Sequence, residues 1–442
     1  MGKILVKMTI PMVVGVIGMV LFNLADAFFV GRLGTTELAA LSFTFPVVLV
    51  IASLALGLGM GASAVISLAI GEGDRHKVKR LTTDSLLLAL LVVAFFVVLG
   101  LVTIDPVFRL LGATPEVLPL IRQYMNIWYF GMIFVVVPMV GNNAIRATGD
   151  TKTPAAIMLL AAAVNFVVDP VLIFGLGPFP RLELAGAAIS TVCSRAITML
   201  VALYVLGRRD KMLTLELPSL AALLNSWKKI LYIGLPTAST RMIVPLTTGV
   251  ITGLMARSGP AAVAGYGVSA RIEFFSLAVL RALSVVLAPF VGQNLGANKL
   301  KRVITGIRYS KGFSLIWGTA MYLLLLILAP PIASIFSQNP EVRSIIVLYL
   351  RIVPLGYGLQ GVTLLCAATM NVLNKPLQAA GLVIAQMFVF FIPLAYAGSS
   401  LFGPSGIFGA LALAYLVAGI AAHFVLNRFL ADRKRQANTL AI

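Results

Sequence analysis

Two stretches decide the architecture: PVFRLLGATPEVLPLIRQYMNIWYFG at 106–131 and PIASIFSQNPEVRSIIVLYLRIVPLG at 331–356. Laid over each other without a gap, they put Pro106 on Pro331, Pro115-Glu116-Val117 on Pro340-Glu341-Val342, Tyr124 on Tyr349 and Gly131 on Gly356. Working outward at the same offset, Pro11 meets Pro236, Gly34 meets Gly259 and Gly71 meets Gly296; after a short slip, Pro154 meets Pro376. Gly and Pro set backbone geometry that a duplicated fold must keep, so matches of this kind mark an internal repeat. The chain divides accordingly into an N-lobe at 1–207, a polar linker at 208–228 and a C-lobe at 229–442.

Each copy carries six long apolar runs. In the first they fall at about 4–31, 38–70, 82–104, 117–145, 153–175 and 185–207; in the second at about 229–255, 260–294, 310–330, 342–370, 376–398 and 405–427. Of the 442 residues, 60% are apolar and 11% charged, against about 25% charged in soluble domains. Runs of ~20 apolar residues are what a bilayer span requires. The fold expected is all-α and integral to a membrane, with twelve transmembrane helices in two pseudo-symmetric six-helix lobes. Because six is even, both copies enter the bilayer from the same side, as parallel repeats about an axis along the membrane normal.

The formal net charge of +19 would suggest nucleic acid in a soluble chain. Here it follows from topology: Lys and Arg crowd the N-terminus, the even-numbered loops and the C-terminal tail, while the opposite loops hold Arg32, Arg109, Arg122, Arg181, Arg257 and Arg343. By the positive-inside rule both termini are cytoplasmic, and no nucleic-acid partner is expected. The start of the chain, with Lys3, Lys7 and Ala25-Asp26-Ala27, imitates a cleavable signal peptide, but the repeat requires it as a full span. Cys193 and Cys366 lie in apolar runs and His76 and His423 are far apart, so neither a disulfide framework, a zinc site nor a Ser/His/Asp triad can be assembled. Without GxxxxGK[ST] there is no phosphate loop for ATP. A chain of this kind is expected to have no enzymatic activity and no cofactor, and any transport would draw on an ion gradient.

Ionisable side chains deep in a span are costly and mark function by default. Asp26 and Asp169 both lie about 8–9 Å below the external rim of their spans, at 1.5 Å per residue. Thr191 on the sixth span reaches a similar depth. Asn165 shares a helix face with Asp169, and Met158 lies on the same stripe, as Ala187 does with Thr191. Two carboxylates, a carboxamide and a hydroxyl are oxygen donors suited to Na⁺; carboxylates within a few Å of each other share a proton instead. The matching positions of the second copy, Ile251 and Ile392, are apolar. Groups that merely hold helices together should recur in both copies, whereas one ion site need not.

Pro11, with Gly15 close by, interrupts the first span about four turns before Asp26 and is a candidate hinge. The run Gly57, Gly59, Gly61 sits inside an apolar span, where close helix packing is expected. In the second copy Glu273 stands near mid-depth as either an ion-pair partner, with Arg241 on the adjacent span, or a second proton site.

The stretches FNLADAFFVGRLG (22–34), AIRATGDTKTP (144–154), NFVVDPVLIFG (165–175) and PFVGQNLGA (289–297) resemble the multidrug and toxic compound extrusion (MATE) family, in its prokaryotic DinF-like branch. The resemblance implies a multi-pass protein of the prokaryotic inner membrane, acting as a monomer. It implies export of cationic or amphipathic small molecules in exchange for H⁺ or Na⁺. It places the N-lobe cation site at Asp26, Asn165, Asp169, Thr191 and the Ala187 carbonyl, beside a cavity lined by Tyr124, Asn142 and Met158. Arg195, one turn from Thr191, departs from a purely cation-binding site. A lipid-linked oligosaccharide flippase of the same superfamily would share the architecture and would use Arg195, Arg241, Arg271, Arg281 and Arg351 for a pyrophosphate. An intramembrane transferase would need a DDxxD or HxxxxD cluster, which the chain lacks.

Overall fold

The computed structural model describes residues 2–439, apart from the side chains at 21, 23, 24, 27, 35, 38 and 436–439. The described regular structure is helical: α1 (Gly2–Gly31), α2 (Thr35–Glu72), α3 (Arg75–Leu110), α4 (Leu118–Ala147), α5 (Lys152–Phe174), α6 (Glu183–Tyr204), α7 (Leu220–Ala256), α8 (Pro260–Gly296) and α9 (Leu300–Phe336). A 3-10 turn at Val353–Gly356 joins α10 (Pro340–Ile352) to α11 (Tyr357–Val372). A π turn at Ala385–Phe391 joins α12 (Pro376–Ile384) to α13 (Ile392–Phe402), and α14 (Pro404–Thr439) follows. Counting each joined pair as one rod, the twelve apolar runs give twelve rods, and among the described residues eleven are long and apolar enough to cross a bilayer.

The helices outrun the apolar runs mainly at their charged ends. α3 starts at Arg75, ahead of its apolar run, because Asp74 caps it by accepting from the Lys77 amide at 2.9 Å. A helix does not stop at the edge of the hydrocarbon: its backbone hydrogen bonds continue until a cap or a breaker ends them. Pro354 is such a breaker, and it turns the tenth rod into two segments. Pro11, Pro46, Pro106, Pro138, Pro170 and Pro289 are carried inside helices. Neighbouring helices support that exception in membranes.

Backbone packing forms two units, Ile10–Ala238 and Met1–Thr9 with Ser239–Ile442. In the first, α4 is central, packing on α2, α3, α5 and α6. Small residues allow the close approaches: a Cβ on Gly57 or Gly61 would strike the α7 backbone at Gly234 or Ile230, the helix-packing role expected of that glycine run. The connecting segment after α6 is tied to α3, where Thr83 Oγ1 accepts from the Thr214 amide at 3.1 Å and Arg80 donates to the Glu216 carbonyl at 2.7 Å. Arg80 also pairs with the buried Asp84. In the second unit α11 is central, packing on α8, α9 and α14.

Candidate functional site

The polar cluster of the first unit starts with an approach of two backbones. A Cβ on Gly186 would lie 2.5 Å from the Leu172 carbonyl oxygen, so only glycine lets α6 come this close to α5. One turn further along α6 is Ser190, facing Asn165 and Asp169, which lie one turn apart on α5. Asn165 Nδ2 donates to Asp169 Oδ1 at 2.9 Å and lies 3.4 Å from Ser190 Oγ. Asn165, Asp169 and Ser190 are each 0% exposed. Pro170, directly after Asp169, has no N–H to give the carbonyl one turn back.

Asp26 of α1 stands close enough for its charge to act on Asp169 and on Arg195 of α6. Tyr124 of α4, buried, is near both acids. Three oxygens of this group, Asp26 Oδ1, Asn165 Oδ1 and Asp169 Oδ2, are buried without a hydrogen-bond partner among the described residues, and so is Thr191 Oγ1, next to Ser190 along α6. Buried oxygen acceptors are costly when unpaired. Oxygen donors of this kind, two of them from carboxyl groups, are chemically suited to a proton or a small hard cation. Ala187, fully buried, sits one turn before Thr191 on α6.

Beside the cluster, α1, α2, α4, α5 and α6 enclose a cavity of about 80 Å³. Asn142 and Met158 line it, together with Met19 and Phe22 of α1, Met139, Asn143 and Arg146 of α4, and Arg195. Tyr124 is not among its lining residues; it belongs with the acids. The Arg195 guanidinium lies 4.5 Å from the centroid of the Phe22 ring, so the residue that departs from a pure cation site forms part of the cavity wall. Gly15 packs α1 on α5: its Cβ would sit 3.1 Å from Ala155 Cα and 3.2 Å from Met158 Sδ. Thus α1 carries a candidate ion ligand, two cavity-lining side chains and the candidate hinge Pro11.

Sequence reasoning passed over Ser190 and Arg146. Arg146 lies inside the AIRATGDTKTP motif and could have been found there. Ser190 carries no signal beyond its place next to Thr191, because its contact depends on how α6 is rotated against α5.

In the second unit the expected pairing of Glu273 with Arg241 is corrected. Both Glu273 oxygens accept from phenols instead, Oε2 from Tyr349 and Oε1 from Tyr415, the latter at 2.8 Å. Among the described residues no salt bridge includes Glu273; α10 and α14 bring their tyrosines onto α8 and occupy both oxygens. Two O–H donors satisfy the carboxylate directly, and the nearby cation whose charge acts on it is Arg281 rather than Arg241.

Outside the spans, Asp150 in the α4–α5 turn accepts from Thr153 and, at 2.7 Å, from Arg209. Burial raises its pKa, but the Thr153 hydrogen bonds and the Arg209 guanidinium outweigh burial and hold the carboxyl below its ordinary value.

Comparison with known proteins bears on this geometry. The sequence model of a family described as MatE matches residues 11–171 and 236–397, once in each copy. An FAD transporter of Shewanella oneidensis is 39% identical over 97% of this chain and 94% of its own length. Multidrug export protein MepA of Staphylococcus haemolyticus is 26% identical over 98% of this chain and 95% of its own. The crystal structure of the Vibrio cholerae MATE transporter VcmN in its bent form superposes with a TM-score of 0.92 at 29% identity, covering 98% of this chain and 97% of that one.

Proposed function

The chain belongs to the MatE family and is a multi-pass membrane transporter, and from that premise we propose that it exports an anionic aromatic compound of the flavin dinucleotide class, coupled to a cation bound at Asp26, Asn165, Asp169 and Thr191. The observation that carries the substrate reading is the wall of the N-unit cavity. Arg146 and Arg195 stand there beside Phe22 and three methionines. Guanidinium groups suit a pyrophosphate, and an aromatic ring with adaptable thioethers suits a flavin. The Shewanella relative named as an FAD transporter supports the same class.

Coupling runs through α1. At about 80 Å³ the cavity holds a few waters, far below the ~300–1,000 Å³ of small-molecule sites. It is a contracted seat, and loading it requires a wall to move. α1 is the wall that also bears Asp26, so ion binding bends it about Pro11 and closes the seat behind a departing substrate. With both termini cytoplasmic, a membrane potential negative inside adds an outward push on an anion, about 2.3 kcal/mol per charge per 100 mV.

A second reading is export of cationic compounds in exchange for H⁺ or Na⁺. The closeness of Asp26 and Asp169 to the cavity favours it, since filling those acids with a cation removes the charge that would hold a cationic drug. Relatives such as MepA support it. The arginines oppose it: a cation at about 4 Å from a guanidinium meets roughly 4 kcal/mol of repulsion at an effective dielectric near 20.

Everted vesicles loaded with the protein decide between them. Accumulation of FAD and of ethidium is followed under a proton gradient alone, a sodium gradient alone and a membrane potential alone. FAD accumulation under an ion gradient supports the first reading; ethidium without FAD replaces it by the second; neither removes both.

A further inference from the structure

In the second unit, α9, α11 and α14 line a groove of about 670 Å³. Its polar end is made by Arg308, Lys311, His423 and Asn427, with the apolar side chains of Ile304, Ile307 and Leu430 beside them, and among the described residues no Asp or Glu lines it. Its apolar end is walled by Leu315, Leu359, Val362 and Ile420, and Phe424 flanks His423. Leu315, Ile420 and Phe424 are 45, 48 and 67% exposed, so the groove opens sideways.

The hydrogen bonds at the polar end do not close. Lys311 Nζ lies 3.1 Å from Asn427 Oδ1 and 3.3 Å from His423 Nδ1, and Asn427 Nδ2 lies 2.8 Å from His423 Nε2. If the Asn427 amide donates to Nε2, the imidazole proton is on Nδ1 and points at an ammonium, which has no lone pair. Turning the amide over moves the conflict to the Lys311–Asn427 contact. For either orientation, with Lys311 charged, the triangle is one acceptor short. Arg308, exposed at the same end, adds further donors. An oxyanion is the group that supplies the missing acceptor and balances the charge.

Depth identifies the source of that oxyanion. On α9 the sequence changes at this level from LKRVITGIRYSK (300–311) to the apolar GFSLIWGTAMYLLLLILAPPIASIF (312–336); on α14 the apolar run gives way just beyond Asn427 to Arg428 and the charged tail. Exposed Tyr309 stands at this level, as interfacial aromatics do. The polar end is therefore at headgroup height and the apolar end at acyl-chain height, in the leaflet beside the basic loops. We propose that this groove is a binding site for an anionic phospholipid, with the phosphate on Lys311 and Arg308 and one acyl chain along Leu315 and Ile420.

The test uses the purified, delipidated full-length protein in detergent, with lipid retention read by native mass spectrometry and thermal stability read in parallel. The probes are phosphatidylglycerol, phosphatidylcholine and inorganic phosphate. Phosphatidylglycerol should be retained and raise Tm, and phosphatidylcholine and phosphate should not. The double variant Lys311→Gln/Arg308→Gln should weaken phosphatidylglycerol retention roughly thirtyfold, at roughly fivefold for each basic group. Gly312→Leu keeps both charges but fills the groove floor, where no atom lies within 4 Å of the added Cβ; it should abolish retention without lowering the lipid-free Tm. Equal retention of phosphatidylcholine, an equal Tm rise with phosphate alone, or unchanged retention in Gly312→Leu would each overturn the assignment.

Discussion

Asn165 donates its amide N–H to Asp169 Oδ1, 2.9 Å away, while its own carbonyl oxygen and Asp169 Oδ2 are fully buried without a partner among the described residues. An arrangement built for stability alone would fill those acceptors. This one keeps them open beside Asp26, which is what a site that loads and releases a cation requires.

If α1 links the site to the cavity, loading the site should change α1 more than any other segment. Hydrogen exchange of the purified protein, followed by mass spectrometry at high and low pH and with and without Na⁺, should show its largest difference in peptides from 11–31. Pro11→Ala restores the missing N–H donor and should reduce that difference together with transport. Equal exchange in α1 under all conditions, with transport intact, would remove Pro11 from the mechanism.

Arg195, stacked on Phe22 in the cavity wall, separates an anionic substrate from a cationic one. Arg195→Ala should lower FAD efflux by ten- to a hundredfold, the scale of losing one charge-assisted hydrogen bond of about 1.5–3 kcal/mol, and should leave ethidium efflux equal or higher. Loss of ethidium efflux with FAD efflux unchanged would reverse the substrate reading.

Glycine packing can be tested by contrast. Gly15 faces Ala155 and Met158 at 3.1 and 3.2 Å, whereas nothing lies within 4 Å of a Cβ on Gly253. Gly15→Leu should overpack the α1–α5 contact at about 1–3 kcal/mol and lower Tm by several degrees. Gly253→Ala, which gains helix propensity of up to about 1 kcal/mol, should hold or raise it. Equal Tm values for the two would contradict this packing.

Asp150 has a depressed pKa in the folded protein, so its contribution to stability is present above its ordinary value of 3.8 and is lost as pH falls below that. With both partners partly exposed, the effect is at most about 1 kcal/mol. Tm should fall between pH 5 and pH 3 in the wild type and fall less in Asp150→Asn. A larger fall in the variant would have the wrong sign.

Much of the architecture was legible because the physics that fixes it is local. Apolar runs of bilayer length and repeated Gly and Pro positions state where rods lie and that they recur. Rise per residue put Asp26 and Asp169 at one level, and the two acids do stand close to each other. What could not be read depends on rotation and on distant partners. The two phenols that take Glu273 come from α10 and α14, far along the chain, and a Glu and an Arg on adjacent spans look like a pair until those tyrosines are in place. Likewise Tyr124 shares a face of α4 with Asn142, yet about five turns separate them, which puts Tyr124 with the acids and Asn142 with the cavity.

The central claim is that Asp26 and Asp169 hold the coupling ion. The most direct test measures gradient-driven efflux from everted vesicles carrying wild type, Asp26→Asn or Asp169→Asn at matched levels of folded protein. Each variant should lose gradient-driven transport while retaining passive exchange of the same substrate down its own gradient. Wild-type, gradient-dependent efflux from either variant would contradict the account.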